Sequence, residues 1–273
     1  MITISKSFFE ECVATATDGT AEVFNLVQPH FEDEIEYLED FVLGFKTENI
    51  DTQLEYLCKK FACCNAFAKL IPQMDLILTP TGFGVVRTEN LAPASPERVS
   101  NLLRAISNAA ADALDGLLYY LVKNQPNEWG EKVQASTWIT SVFYTGSQLA
   151  LYGIREQAHR SDLVALRPRI LEAETKVMSR ISPELFEALL VKIRMNYGNA
   201  ELWRHLHVRI IQVVKMHLQQ DMRAAHYQMD LLLKFVEENL VTFTAYAESS
   251  TFKANHYKPY ENKRQDTTFF FGG

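Results

Sequence analysis

Between Asp75 and Val99 the chain reads DLILTPTGFGVVRTENLAPASPERV, and this stretch decides how the rest is read. Leu76, Ile77 and Leu78 form one short β-prone run; Phe83, Val85 and Val86 form another. Pro80-Thr81-Gly82 between them supplies a fixed φ, then a residue free to take positive φ, which predicts a β-hairpin over about 75–88. Pro93 breaks the chain after it. Ser95 then predicts a helix N-cap, with Pro96 at the first helical position, where a missing N–H costs nothing. On either side the apolar spacing is helical.

Upstream, Ile4 to Ala14 is short and amphipathic, and Asp18-Gly19-Thr20 reads as a break. Phe24, Val27, Phe31, Ile35, Leu38 and Val42 recur at helical spacing up to Gly44. Glu32, Glu36, Glu39 and Asp40 fall on other faces and read as a solvated surface. Asp51-Thr52 caps the next helix, which runs through Leu54, Leu57, Phe61 and Phe67 to Ile71 and Pro72. Downstream, Val99 to Leu121 gives a long helix stopped at Gln125-Pro126-Asn127. A linker containing Trp129 and Gly130 follows to about Ser136, then an apolar patch from Trp138 to Tyr144. Ser161-Asp162 caps a helix through Ile181, and Ser182-Pro183-Glu184 opens another. Two more follow, from Ala200 to about Leu218 and from Met222 to about Ala247. The last stretch, SSTFKANHYKPYENKRQDTTFFFGG, has no helical period.

The halves echo each other at an offset of 139 residues. Phe24, Val27, Pro29, Phe31, Leu38 and Val42 fall on Leu163, Leu166, Pro168, Ile170, Val177 and Ile181. The fold expected is therefore mainly α: a multi-helix bundle of two duplicated helical modules, 1–130 and 137–250. One β-hairpin and an extended C-terminal arm over 251–273 complete it.

The totals bound function. With 273 residues, 47% of them hydrophobic and including 17 Phe and 11 Tyr, the chain can bury a large core. A net charge of −7 argues against general nucleic-acid binding, which needs clustered Lys and Arg. No apolar run approaches a membrane span, and MITISKSFFEECV lacks the pattern of a secretory signal. Cys12, Cys58, Cys63 and Cys64 read as thiols in a reducing compartment, with no zinc spacing among them.

No catalytic, cofactor or metal grouping emerges. Gly82-Phe83-Gly84 has Arg87 where a dinucleotide fingerprint needs its third glycine. His205 and His207 are two apart on a helix and point in different directions, and His217 and His226 lie on separate segments. The expectation is a protein that is not an enzyme. Phe269, Phe270 and Phe271 cannot stay comfortably in water, since burying each contributes roughly 1.5–3 kcal/mol. They either fold back onto the chain's own core or form an arm that inserts into a neighbouring subunit or partner. In the second case they are candidate partner contacts together with the hairpin tip, Thr81, Gly82 and Phe83.

Three stretches, DLILTPTGFGVVRTENLAPAS, LVALRPRILEAETKVMSRI and ENKRQDTTFFFGG, resemble a family of uncharacterised proteins carried by phages and prophages of Bacteroidetes. Such proteins tend to belong to the virion structural set. FNLVQPHFEDEIEYLEDFVLG is also similar to the first long helix of phage head–tail connector proteins. The resemblance implies a neck adaptor, assembled in the bacterial cytoplasm and located in the virion neck. It would form a homo-oligomeric ring between portal and tail, contacting portal and tail or neck proteins while DNA passes through its lumen unbound. The chain is about twice the length of those connectors, which a duplication would explain. The alternative is a non-virion helical interaction protein, an assembly factor or host-directed module.

Overall fold

The structure is a computed structural model that describes residues 2–13, 22–74, 76–79, 82–85, 95–198 and 200–257, with the backbone alone for 22, 76–79 and 82–85. The chain is mainly helical, and one continuous apolar core runs from Ile4 through Tyr246.

In the first half, α4 (Thr52–Leu70) is the central element, packed between α3 (Phe31–Leu38) and α5 (Pro96–Asn124). Asp51 caps α4 by accepting from the N–H groups of Gln53 and Leu54, both at 3.0 Å. Leu54, Cys58, Phe61, Ala62, Cys63, Cys64, Ala66 and Phe67 are all buried, so α4 is apolar around most of its circumference rather than along one stripe. Ser95 accepts from the N–H of Arg98 to start α5, and Gln125, at φ 52°, ends it. The first helix, α1 (Lys6–Cys12), closes over α4 through buried Phe9.

The helix expected from Phe24 to Val42 is broken into unlike pieces. After α2 (Glu22–Val27), Pro29 lies in a 3₁₀ turn at Gln28–His30, because it has no N–H to offer a regular ladder. Past α3, Glu39–Leu43 widens into a π-turn that Gly44 terminates at φ 71°. The wide turn buries both Val42 and Leu43 and leaves Phe41 62% exposed. Of the acidic run, Glu32, Glu36 and Asp40 are exposed as a solvated face requires, whereas Glu39 is part-buried, and Glu34, outside that run, is buried. Glu34 is buried against Asn65 and Lys69, and Glu39 accepts from the Thr47 N–H, the Thr47 hydroxyl and Lys46.

Between α4 and α5 the described backbone holds β1 (Leu76–Thr79) and β2 (Gly82–Val85), antiparallel, with Leu76 opposite Val85 and Thr79 opposite Gly82. Gly82 is thus a paired residue, not the turn position expected of it, since the ladder extends one pair further towards the loop.

Three short elements follow α5. Pro126–Glu131 is a 3₁₀ segment holding buried Trp129, and α6 (Val133–Trp138) replaces the expected linker. After a buried non-helical passage comes α7 (Gly146–Leu151). The second half packs α8 (Arg160–Ile181) and α11 (Met222–Glu238) on α10 (Glu201–Leu218), with α9 (Pro183–Arg194) beside α8. Pro168 sits inside the regular α8, unlike Pro29. The two aligned stretches therefore share an inward face (Val27, Phe31, Leu38 and Val42; Leu166, Ile170, Val177 and Ile181, all buried) without sharing a backbone. The start of α8 also falls earlier than expected: Asp162 accepts from the N–H of His159, which is the N-cap.

The last expected helix ends early and the arm begins late. The Asn239 side chain donates to the Phe235 carbonyl at 2.8 Å and stops α11, so that buried Phe243 and Tyr246 turn back into the core around α12 (Thr244–Ala247). The first residues of the expected extended arm form α13 (Ser250–Asn255), capped by Ser249 and packed on α8. Phe252 joins α13 to α12, edge-on to Tyr246, and stacks on His256 at the end of its own helix.

Candidate interaction surfaces

Three buried ionisable side chains, Asp115, Glu174 and His207, converge with part-buried Arg194 on one non-helical passage, Ile139 to Gly146, where the two halves meet. A buried backbone without a helix or sheet must find other partners for its polar groups, and here they come from four helices. Arg194 of α9 donates twice to the Ile139 carbonyl, from Nε at 3.1 Å and Nη2 at 3.0 Å. Glu174 of α8 accepts from the Ser141 hydroxyl at 2.6 Å and the Val142 N–H at 2.9 Å. His207 of α10 donates from Nε2 to the Val142 carbonyl at 2.9 Å. Asp115 of α5 accepts from the Gly146 N–H and from Arg160.

Burial and pairing set the protonation of these groups. Burial pushes the carboxyls of Asp115 and Glu174 above the usual range, against the pull of Arg160 on the first and of Ser141 and Val142 on the second. Burial lowers His207 to about 4, although its bond to the Val142 carbonyl works the other way. The carbonyl can only accept, so Nε2 carries the proton, and Nδ1 of the neutral ring accepts from the Tyr197 hydroxyl.

The junction is locked sterically as well. A Cβ on Gly146 would lie 2.4–2.6 Å from the His159–Arg160 backbone, which cannot move without displacing α8. Two tryptophans fasten the end of the first helical stretch to it: Trp129 Nε1 donates to the Val42 carbonyl at 2.8 Å, and Trp138 Nε1 to the Phe41 carbonyl at 2.7 Å. Each of these groups is used in holding one part of the chain to another.

Among the described residues no group of three or more His, Cys, Asp or Glu side chains is arranged to hold a metal ion. No described helix is long and apolar enough to cross a membrane. His205 is exposed while His207 is buried, as their two-residue spacing requires. Of the expected partner contacts, Gly82 and Phe83 lie in β2, with Phe83 opposite Leu78. Thr81, Phe269, Phe270 and Phe271 lie outside the described residues, as do the Asp18-Gly19-Thr20 break and Pro93. The sequence carries a signal for the junction in two lone acids on apolar faces. Asp115 interrupts an apolar run between Leu114 and Leu117, and Glu174 falls on the inward stripe between Ile170 and Val177. A lone acid on a buried face needs a partner.

A family model described as a family of unknown function (DUF6712) matches residues 24–137, from α2 through all but the last residue of α6. No curated protein and no solved structure matches the chain.

Proposed function

We propose that this chain is a phage virion structural protein, a head–tail connector or neck adaptor whose copies form a ring between portal and tail. The observation that carries the proposal is the two-stranded ladder Leu76–Thr79 and Gly82–Val85, set between the two longest helices of the first half. Among the described residues each strand pairs only with the other, so in this reading each offers an outer edge to a strand from a neighbouring chain. Behind it stands a body fastened across its two halves by the Ile139–Gly146 junction, as a subunit under load between portal and tail requires. The likeness of the 24–44 stretch to connector helices supports the same reading, and the echo at 139 residues supports descent from a duplicated unit. In this reading Thr81, the first β2 residues Gly82 and Phe83, and the aromatics Phe269, Phe270 and Phe271 are the contact elements. No cofactor or catalytic step enters it, and the net negative charge lets DNA pass through the lumen without adhering.

Quantitative mass spectrometry of purified phage particles tests this. A copy number matching that of the portal protein is expected. Absence from the particle would overturn the neck role and leave an assembly or host-directed interaction protein.

A further inference from the structure

A cleft of about 510 Å³ opens where the N-terminal segment crosses α3. Its floor is apolar, built from Ile2, Ile4, Phe31 and Ile35, and its rim is acidic. Glu32, Asp33, Glu36 and Glu48 on that rim are exposed. The one lysine in the wall, Lys46, is already paired with Glu39 at 2.8 Å. A second opening shares Ile2, Thr47 and Glu48 with the first and adds Ile50 and Glu55, so the cleft continues as a furrow past the 47–50 loop. Asp33 lies 4.0 Å from His30 and Glu55 is paired with Lys59, but Glu32, Glu36 and Glu48 leave the rim with an excess of carboxylates. An apolar floor edged in this way fits a segment that carries both cations and large apolar side chains.

Residues 258–273 carry both kinds of side chain. Lys258, Lys263 and Arg264 outnumber Glu261 and Asp266, and the adjacent basic pair precedes Phe269, Phe270 and Phe271. We propose that this segment of one copy docks in the Ile4–Phe31–Glu36 cleft of a second copy, its cations on the rim and its phenylalanines against the floor. The assignment rests on the ring reading given above, and it names the surface that receives the terminal aromatics. The segment follows α13 in the chain, and α13 packs on α8 in the second half, whereas the cleft belongs to the first half. A head-to-tail contact between unlike faces is what a closed ring uses.

The test uses the full chain. Unlabelled and ¹⁵N-labelled copies are mixed and treated with a zero-length carbodiimide, which joins lysines to carboxylates in direct contact. Links from Lys258 or Lys263 to Glu32, Asp33, Glu36 or Glu48 are expected, with peptide pairs of mixed isotope content. Glu36→Lys with Glu48→Lys, both at exposed positions, should cut the yield at least tenfold at an unchanged melting temperature. Mixing that variant with copies carrying Lys263→Glu and Arg264→Glu should restore the contact. Links confined to one isotope, links to another surface, or a yield insensitive to the charge reversal would each overturn the proposal. If the chain is present in particles at portal copy number while the links map elsewhere, the cleft assignment fails and the neck reading stands.

Discussion

His207 donates from Nε2 to the carbonyl of Val142 at 2.9 Å, holding the buried junction between the halves with a neutral imidazole. The bond joins α10 to a passage that also takes partners from α5, α8 and α9, so the protonation of one ring bears on the register of four helices.

A pH dependence follows. Folding lowers His207 from 6.5 to about 4, so the unfolded chain takes up its proton first. The associated stability is fully present above pH 6.5 and is lost as pH falls towards 4, by on the order of 3 kcal/mol. Asp115 and Glu174 act in the opposite sense, because their raised values favour the folded state as acid protonates them. The difference between wild type and His207→Gln isolates the imidazole, since Gln can still donate to the Val142 carbonyl. Denaturant melts at pH 7 and pH 4.5 should show a smaller acid loss in the variant; equal losses would contradict the assignment.

Glu174→Ala should lower stability by about 2–3 kcal/mol, because the Val142 N–H and the Ser141 hydroxyl both lose their buried acceptor. Glu174→Gln keeps an acceptor oxygen in place and should cost less than half as much. Urea titrations of the two variants check the order.

Trp129→Phe removes the donor to the Val42 carbonyl and leaves a void in a fully buried site, for an expected loss of about 2–4 kcal/mol. Trp138→Phe removes a similar bond at a part-exposed position, where water can replace it, and should cost under about 1 kcal/mol. Reversal of that order would contradict the role given to Trp129.

Thiol reactivity should also be ordered. The Cys12 thiol is held low chiefly by a hydrogen bond from Cys63, with Lys60 adding to the effect, and it is part-exposed. Burial raises Cys58 to about 12 and Cys64 to about 11, and the bond to Cys12 raises Cys63. Brief iodoacetamide treatment of the folded protein, read by peptide mass spectrometry, should label Cys12 first. Equal labelling of all four would show that the N-terminal helix does not stay on α4.

The helical content was legible because periodicity and caps report it locally: Asp51, Ser95 and Ser182 each accept from the helix they precede. Breaks driven by packing were not. The stop at Asn239 and the Phe252–Tyr246 contact span only four and six residues and interrupt no apolar period. The π-turn at Glu39–Leu43 is held by Trp129 and Trp138, neighbours distant in sequence that no local pattern announces. The junction stayed hidden for a similar reason. Asp115, Glu174, Arg194 and His207 are spread over 93 positions and meet only once the helices pack.

The neck assignment meets its most direct test in a cryo-electron microscopy reconstruction of the phage neck, focused between portal and tail. The account predicts a rotationally symmetric ring into which α4, α5, α8 and α10 fit as one body. Each strand pair Leu76–Val85 should contact the next subunit. A neck whose density is filled by other chains, with none matching this arrangement of helices, would contradict it.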